Sequence, residues 1–130
     1  MNPKPVRILL VDDSPSIVKS LERILHNPRA GWDIRMADNG ESALELCKES
    51  PFEIVVTDLN MPGMNGAELI RKVRELHPAT RSMVLCGDPG SPEATELAEQ
   101  GYLIIEKPCP GSLLRTAIAD EIEKLRNDPP

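Results

Sequence analysis

The chain has 130 residues and a mass of 14.3 kDa, the size of one domain, and no apolar run approaches the roughly 20 residues that a membrane span requires. Fifteen basic against twenty-one acidic residues give a net charge of -6 and a pI near 4.9, which opposes generic attraction to nucleic acid or to an anionic lipid surface. Three cysteines (Cys47, Cys86 and Cys109) without CxxC spacing argue against a disulfide framework and against a zinc site, and 2% aromatic content leaves no stacking platform for bases. Met1 is followed by Asn-Pro-Lys-Pro and then by an apolar run that meets two aspartates instead of a cleavage site, so no secretory signal is expected and the cytoplasm is the expected location.

Apolar residues then alternate between two periods along the chain. The run at 7–11 reads as a strand, apolar on both faces from Ile8 to Val11, as a buried central strand should be. The spacing of Ile17, Leu21, Ile24 and Leu25 predicts a helix over 16–25, opened by Ser14 at its cap and Pro15 at its first position. A strand at 33–37 is followed by Asn39-Gly40-Glu41-Ser42 and a helix through Ala43, Leu44, Leu46 and Cys47. The run at 53–57 leads through Asn65-Gly66 to a helix carrying Leu69, Ile70, Val73 and Leu76. A strand at 82–86, a weaker helix over 92–100, a strand at 103–106 and a helix over 112–126 complete the chain. The last helix repeats Leu113, Leu114, Ala117, Ile118, Ile122 and Leu125 at helical spacing. Five strand–helix units in a row require a parallel sheet covered by helices on both faces, because parallel strands cannot be joined by hairpins. Residues 1–126 are expected to form this domain, with 127–130 a tail or the start of a linker.

In open parallel sheets a ligand sits outside the carboxyl ends of the strands. Asp12 and Asp13 follow the first strand, Asp58 the third, Cys86-Gly87-Asp88 the fourth and Lys107-Pro108 the fifth. Crowded carboxylates repel one another, and a bound cation is the usual remedy. An all-oxygen donor set without histidine suits Mg2+. A carboxylate beside a divalent cation and an ammonium group is a competent nucleophile toward phosphorus, and its product is an aspartyl phosphate. That chemistry alone equally allows a phosphohydrolase. The residue two places after Asp58, where such an enzyme would carry its acid, is Asn60, which cannot move a proton in that role.

The stretches Ile8-Leu9-Leu10-Val11-Asp12-Asp13-Ser14, Val55-Val56-Thr57-Asp58-Leu59-Asn60-Met61-Pro62-Gly63-Met64-Asn65-Gly66 and Glu106-Lys107-Pro108 resemble, in order and spacing, the receiver domain of two-component response regulators. The resemblance covers about residues 6–126 and implies a doubly wound (βα)5 flavodoxin-like α/β fold with strand order 2-1-3-4-5. It implies that Asp58 accepts a phosphoryl group from a sensor histidine kinase or phosphotransfer protein. It gives Asp12, Asp13, Asp58 and the Asn60 carbonyl as Mg2+ ligands, Lys107 as the partner of the phosphoryl group, and a cis peptide bond before Pro108. The output would be a domain in cis or a protein in trans, acting through the fourth helix, fifth strand and fifth helix, a surface that also serves homodimers. Gly31-Trp32-Asp33, Gly66-Ala67-Glu68-Leu69, Leu85-Cys86-Gly87 and Lys107-Pro108-Cys109 look like receivers that precede HD-GYP or HDOD output domains.

Two positions depart from that pattern. The fourth strand of such domains ends in Thr or Ser, whose hydroxyl binds the phosphoryl group, and here Cys86 stands there as a weaker donor. The aromatic expected three residues before the lysine is Ile104, with Tyr102 two residues earlier as a displaced substitute on the same face. A receiver-like docking or dimerisation module that no longer switches is the alternative these two residues raise. His26 and His77 fall at helix ends, where a cation suits the carbonyl dipole. Trp32 is expected at the sheet end away from the aspartates.

Overall fold

A computed structural model describes residues 5–26 and 31–127. Ten elements alternate as expected: β1 (Val6–Val11), α1 (Pro15–Leu25), β2 (Trp32–Ala37), α2 (Gly40–Glu49), β3 (Ile54–Asp58), α3 (Gly66–Leu76), β4 (Arg81–Cys86), α4 (Pro92–Glu99), β5 (Leu103–Glu106) and α5 (Gly111–Asn127). All neighbouring strands pair in parallel, in the order β2-β1-β3-β4-β5. The register runs Val11 with Thr57, Asp58 with Leu85 and Cys86 with Glu106, which brings the carboxyl ends of the four strands from β1 to β5 into one row. No helix among the described residues is long and apolar enough to cross a membrane.

Strand alternation sorts the core into two layers. Ile8, Leu10, Ile54, Val56, Met83 and Leu85 point to the face covered by α1 and α5, where they meet Val18, Leu25, Leu114, Ile118 and Ile122. Leu9, Val11 and Val55 point the other way, onto Ala43 and Cys47 of α2 and Leu69 and Val73 of α3. Val84 and Cys86 share that second face with Ile70 of α3 and Ala94 and Leu97 of α4. Because strands β1 and β3 bury both faces, they carry the unbroken apolar runs that marked them in the sequence. Truncating a core side chain such as Leu114, fully buried between α5 and the sheet, to alanine would cost about 2–5 kcal/mol.

The caps position the helices. Asn39 Oδ1 accepts from the Ser42 amide at 2.7 Å, Asn65 Oδ1 from Glu68 at 2.9 Å and Ser91 Oγ from Ala94 at 3.2 Å. Ser14 differs from expectation: it occupies the cap position of α1 but its hydroxyl makes no capping bond and sits 3.3 Å from Ser16 Oγ. Its amide is engaged instead, donating to Asp12 Oδ1 at 2.9 Å, so the turn serves the aspartate before it serves the helix. Trp32 opens β2, paired with Val6 at the sheet end away from the aspartates. Helix α5 continues through Asn127, one residue into the expected tail, and residues 128–130 of that tail lie outside the described residues.

Candidate functional site

Each group at the carboxyl edge is held by a backbone bond that extends the strand ladder by one residue. Asp12 N donates to Ala37 O at 3.2 Å, Leu59 N to Leu85 O at 2.9 Å and Lys107 N to Cys86 O at 2.9 Å. These bonds fix where the three loops leave the sheet. They bring the predicted Asp12, Asp13, Asp58 and Lys107 together: one carboxylate oxygen from each aspartate lies within 4.8 Å of the other two. Lys107 Nζ stands 2.8 Å from Asp58 Oδ1 and 3.8 Å from Asp12 Oδ2. Asp12 and Asp58 are buried, while Asp13 is exposed at the mouth. The Lys107–Pro108 peptide bond is cis.

The electrostatics leave room for a cation. Burial pushes the Asp12 carboxyl above its ordinary range, and the nearby Asp58 and Asp13 charges push the same way. The Ser14 amide and the Lys107 ammonium oppose that rise without overcoming it. One Lys107 ammonium faces three carboxylates, and Asp12 Oδ2 is buried without a hydrogen-bond partner. An oxygen-only donor set with one orphaned carboxylate oxygen fits a hard divalent cation. Asn60 lies exposed on the loop that leads from Asp58 toward α3.

The sequence marks Gly66 as a helix-start signal and as part of the family motif, and the structure gives it a packing role besides. The first turn of α3 packs against the backbone of the loop that starts at Asp58. A Cβ at position 66 would overlap the Asp58 carbonyl oxygen and come 2.9 Å from Leu59 Cα. The Gly66 amide donates to Leu59 O at 2.9 Å, and Thr57 Oγ1 donates to Asp58 O at 2.9 Å. The Asp58 carbonyl is thus held between the Thr57 hydroxyl and the backbone of Gly66.

Cys86 lies where expected at the end of β4, but its sulfur is already occupied. The side chain is buried among Leu59, Ala67, Ile70, Ala94 and Leu97, and Sγ accepts from the Asp88 amide at 3.3 Å. Tyr102 shares the face of Ile104, as strand alternation required, yet it precedes Leu103 at the opposite end of β5 from Lys107. Its hydroxyl meets Arg74 Nη1 at 3.4 Å, so it is no displaced switch aromatic. His77 closes α3 and its Nε2 lies 2.8 Å from Cys47 O, tying α3 to α2, and His26 closes α1.

Known proteins resemble this chain in sequence and fold. The family model described as "Response regulator receiver domain" matches residues 8–119. A response regulator receiver protein of Anaeromyxobacter sp. (strain Fw109-5) is 33% identical over 109 residues, covering 84% of this chain and 44% of the relative. The transcriptional regulatory protein GlrR of Escherichia coli (strain K12) is 29% identical over 125 residues, covering 95% of this chain and 28% of the relative. The chain therefore spans less than half the length of these two curated relatives. Among solved structures, one described as adenylate cyclase from Rhodopirellula baltica superposes with a TM-score of 0.84 at 33% identity, covering 95% of this chain and 93% of the other. The signal receiver domain of an HD domain-containing protein from Pseudomonas fluorescens Pf-5 has a TM-score of 0.86 at 23% identity, over 98% and 94% of the two chains, and shares the fold. With the acids, the lysine and the strand order all in place, the chain belongs to the response regulator receiver domain family of two-component signalling.

Proposed function

We propose that Asp58 accepts a phosphoryl group from the phosphohistidine of a sensor histidine kinase or phosphotransfer protein, and that the modified chain signals through the surface of α4, β5 and α5. The observation that carries this reading is Lys107 Nζ standing 2.8 Å from Asp58 Oδ1 beside two further carboxylates. An Asp58 oxygen attacks phosphorus in line, the bond from phosphorus to the donor imidazole breaks, and the imidazole keeps the electron pair. The Lys107 ammonium is in position before the reaction and stays with the phosphoryl oxygens, so little reorganisation is needed as charge builds. Asp12, Asp13, Asp58 and the Asn60 carbonyl would hold Mg2+, which when bound supplies positive charge against the phosphoryl oxygens. The orphaned Asp12 Oδ2 supports that assignment.

The receiver family is a family of signalling domains. The output is a domain in cis or a protein in trans, of the HD-GYP or HDOD type by motif resemblance, and a homodimer through α4-β5-α5 is compatible with it. Incubation with Mg2+ and acetyl phosphate, read by intact mass, is expected to add one phosphoryl group that Asp58→Asn abolishes. An adduct that persists in Asp58→Asn would move the site elsewhere.

A second reading has its own support. The Cys86 sulfur is engaged by the Asp88 amide, and Ile104 stands where the switch aromatic would be. Such a chain would serve as a docking or dimerisation module whose surface ignores phosphorylation. Unchanged NMR shifts across α4 and β5 on adding beryllofluoride, an acyl-phosphate mimic, at saturating Mg2+ would favour it.

A further inference from the structure

The sheet edge away from the aspartates carries a second polar concavity. A cleft of about 480 Å3 opens between the end of α3, the starts of β4 and β5 and the last turns of α5, with Arg74, Arg81, Tyr102, Glu121 and Lys124 on its walls. That volume suits a small-molecule ligand. Its charge runs against the rest of the protein: three cations and one carboxylate meet here in a chain of net charge -6. The carboxylate is divided between two of them, with Glu121 Oε2 3.5 Å from Arg81 Nη1 and Glu121 Oε1 3.3 Å from Lys124 Nζ. Arg74 has no carboxylate within 4.0 Å among the described residues; its guanidinium meets the Tyr102 hydroxyl and lies 5.7 Å from the centre of that ring. The Arg81 guanidinium bonds through Nη1 alone among the described residues, and its Nε is buried without an acceptor. The walls therefore carry more donors than acceptors, and none of these contacts is short.

We propose that this cleft binds the phosphate group of a small phosphate monoester, up to the size of a nucleoside monophosphate. Guanidinium groups match phosphate oxygens in paired hydrogen bonds, Lys124 adds a mobile charge, and the Tyr102 hydroxyl supplies a further donor. A lone phosphate fills only a small part of the cleft, so the remaining space takes the organic body of the ester. The phosphoryl chemistry at Asp58 uses none of these residues, and Tyr102 and Lys107 flank β5 at opposite ends. Binding here is thus independent of phosphotransfer.

The test is a titration of the 15N-labelled chain, without Mg2+, with inorganic phosphate, with AMP and with adenosine. AMP, and more weakly phosphate, is expected to shift the amides of Ser82, Gly101 and Tyr102 saturably, and adenosine is expected to leave them in place. Arg74→Gln should weaken AMP binding roughly tenfold, as loss of a hydrogen bond to a charged group does, and Lys124→Gln should weaken it less. Both substitutions alter exposed side chains, and a parent-like spectrum shows that the fold is kept. Asp58→Asn should bind AMP like the parent, which separates this site from the acidic pocket. Absence of saturable shifts at those amides, shifts confined to the surroundings of Lys107, adenosine binding as tightly as AMP, or unchanged affinity in Arg74→Gln would each overturn the proposal.

Discussion

Gly66 lies against the carbonyl of Asp58 so closely that any side chain at position 66 would overlap it. The atoms it would meet first, Asp58 O and Leu59 Cα, belong to the backbone and cannot swing aside. Gly66→Ala is therefore expected to push the start of α3 away from the loop after Asp58 and to destabilise the fold by about 1–3 kcal/mol in urea denaturation. Phosphorylation by acetyl phosphate should slow in the same variant. A parent-like urea midpoint would show that the loop yields at no cost.

Asp13 is exposed at the mouth of the pocket, so removing it should delete a metal ligand without disturbing the core. Asp13→Ala should weaken Mg2+ binding at least about tenfold by calorimetry while shifting stability by no more than about 0.5 kcal/mol. Unchanged Mg2+ affinity would take Asp13 out of the metal site.

Asp12 should act in the opposite sense on stability. Burial holds its carboxyl above the ordinary value of 3.8, so the folded chain binds this proton more tightly than the unfolded chain. The favourable contribution is then present below the unfolded value and is lost as pH rises through the folded one. Ionising Asp12 therefore costs the metal-free folded chain stability. Asp12→Asn keeps an oxygen for the Ser14 amide and should raise stability on the order of 1 kcal/mol at pH 7, read as a thermal midpoint a few degrees higher. The gain should shrink toward pH 4 and vanish at saturating Mg2+. A metal-free Asn variant less stable than the parent at pH 7 would contradict the argument.

Switching is expected to be partial, because the Cys86 thiol is a weak donor and its sulfur is held by accepting from the Asp88 amide. One hydrogen bond to a charged group is worth roughly 1.5–3 kcal/mol, about a tenfold to hundredfold change in a two-state population ratio. Cys86→Thr should therefore enlarge the beryllofluoride-induced NMR shifts in α4 and β5, while Ile104→Tyr alone should change them little. A parent that already shifts completely, with no increase in Cys86→Thr, would mean that the thiol suffices.

Trp32 pairs with Val6 at the far end of the sheet from Asp58. Its emission should change little when Mg2+ or beryllofluoride binds. A large quench would require a rearrangement that crosses the whole length of β1.

The architecture was legible because its signals are local and repeated. The unbroken apolar runs of β1 and β3 announced central strands, and Asn39 and Asn65 cap α2 and α3. The acids and the lysine were legible because a parallel sheet gathers whatever follows its strands. Contacts that depend on how loops fold back were hidden. The Ser14 hydroxyl leaves its cap because the amide of the same residue is drawn to Asp12, and the Cys86 sulfur meets an amide two residues on through a turn. The cleft beside Arg81 was hidden for another reason. Its walls come from five elements, α3, β4, α4, β5 and α5, and no one of them carries a motif.

The position of each strand in the sheet sets how readily it opens. Strand β1 is bonded on both sides, to β2 and β3, whereas the four-residue β5 is bonded to β4 alone. Amide hydrogen exchange at Leu9 to Val11 should thus require global unfolding, while Ile104 and Ile105 should exchange through a cheaper local opening. All three aspartates are rooted at the ends of central strands, Asp12 and Asp13 after β1 and Asp58 at the end of β3, whereas Lys107 follows the edge strand β5. The ammonium arm can be drawn toward a new charge without any loosening of the strands that hold the carboxylates.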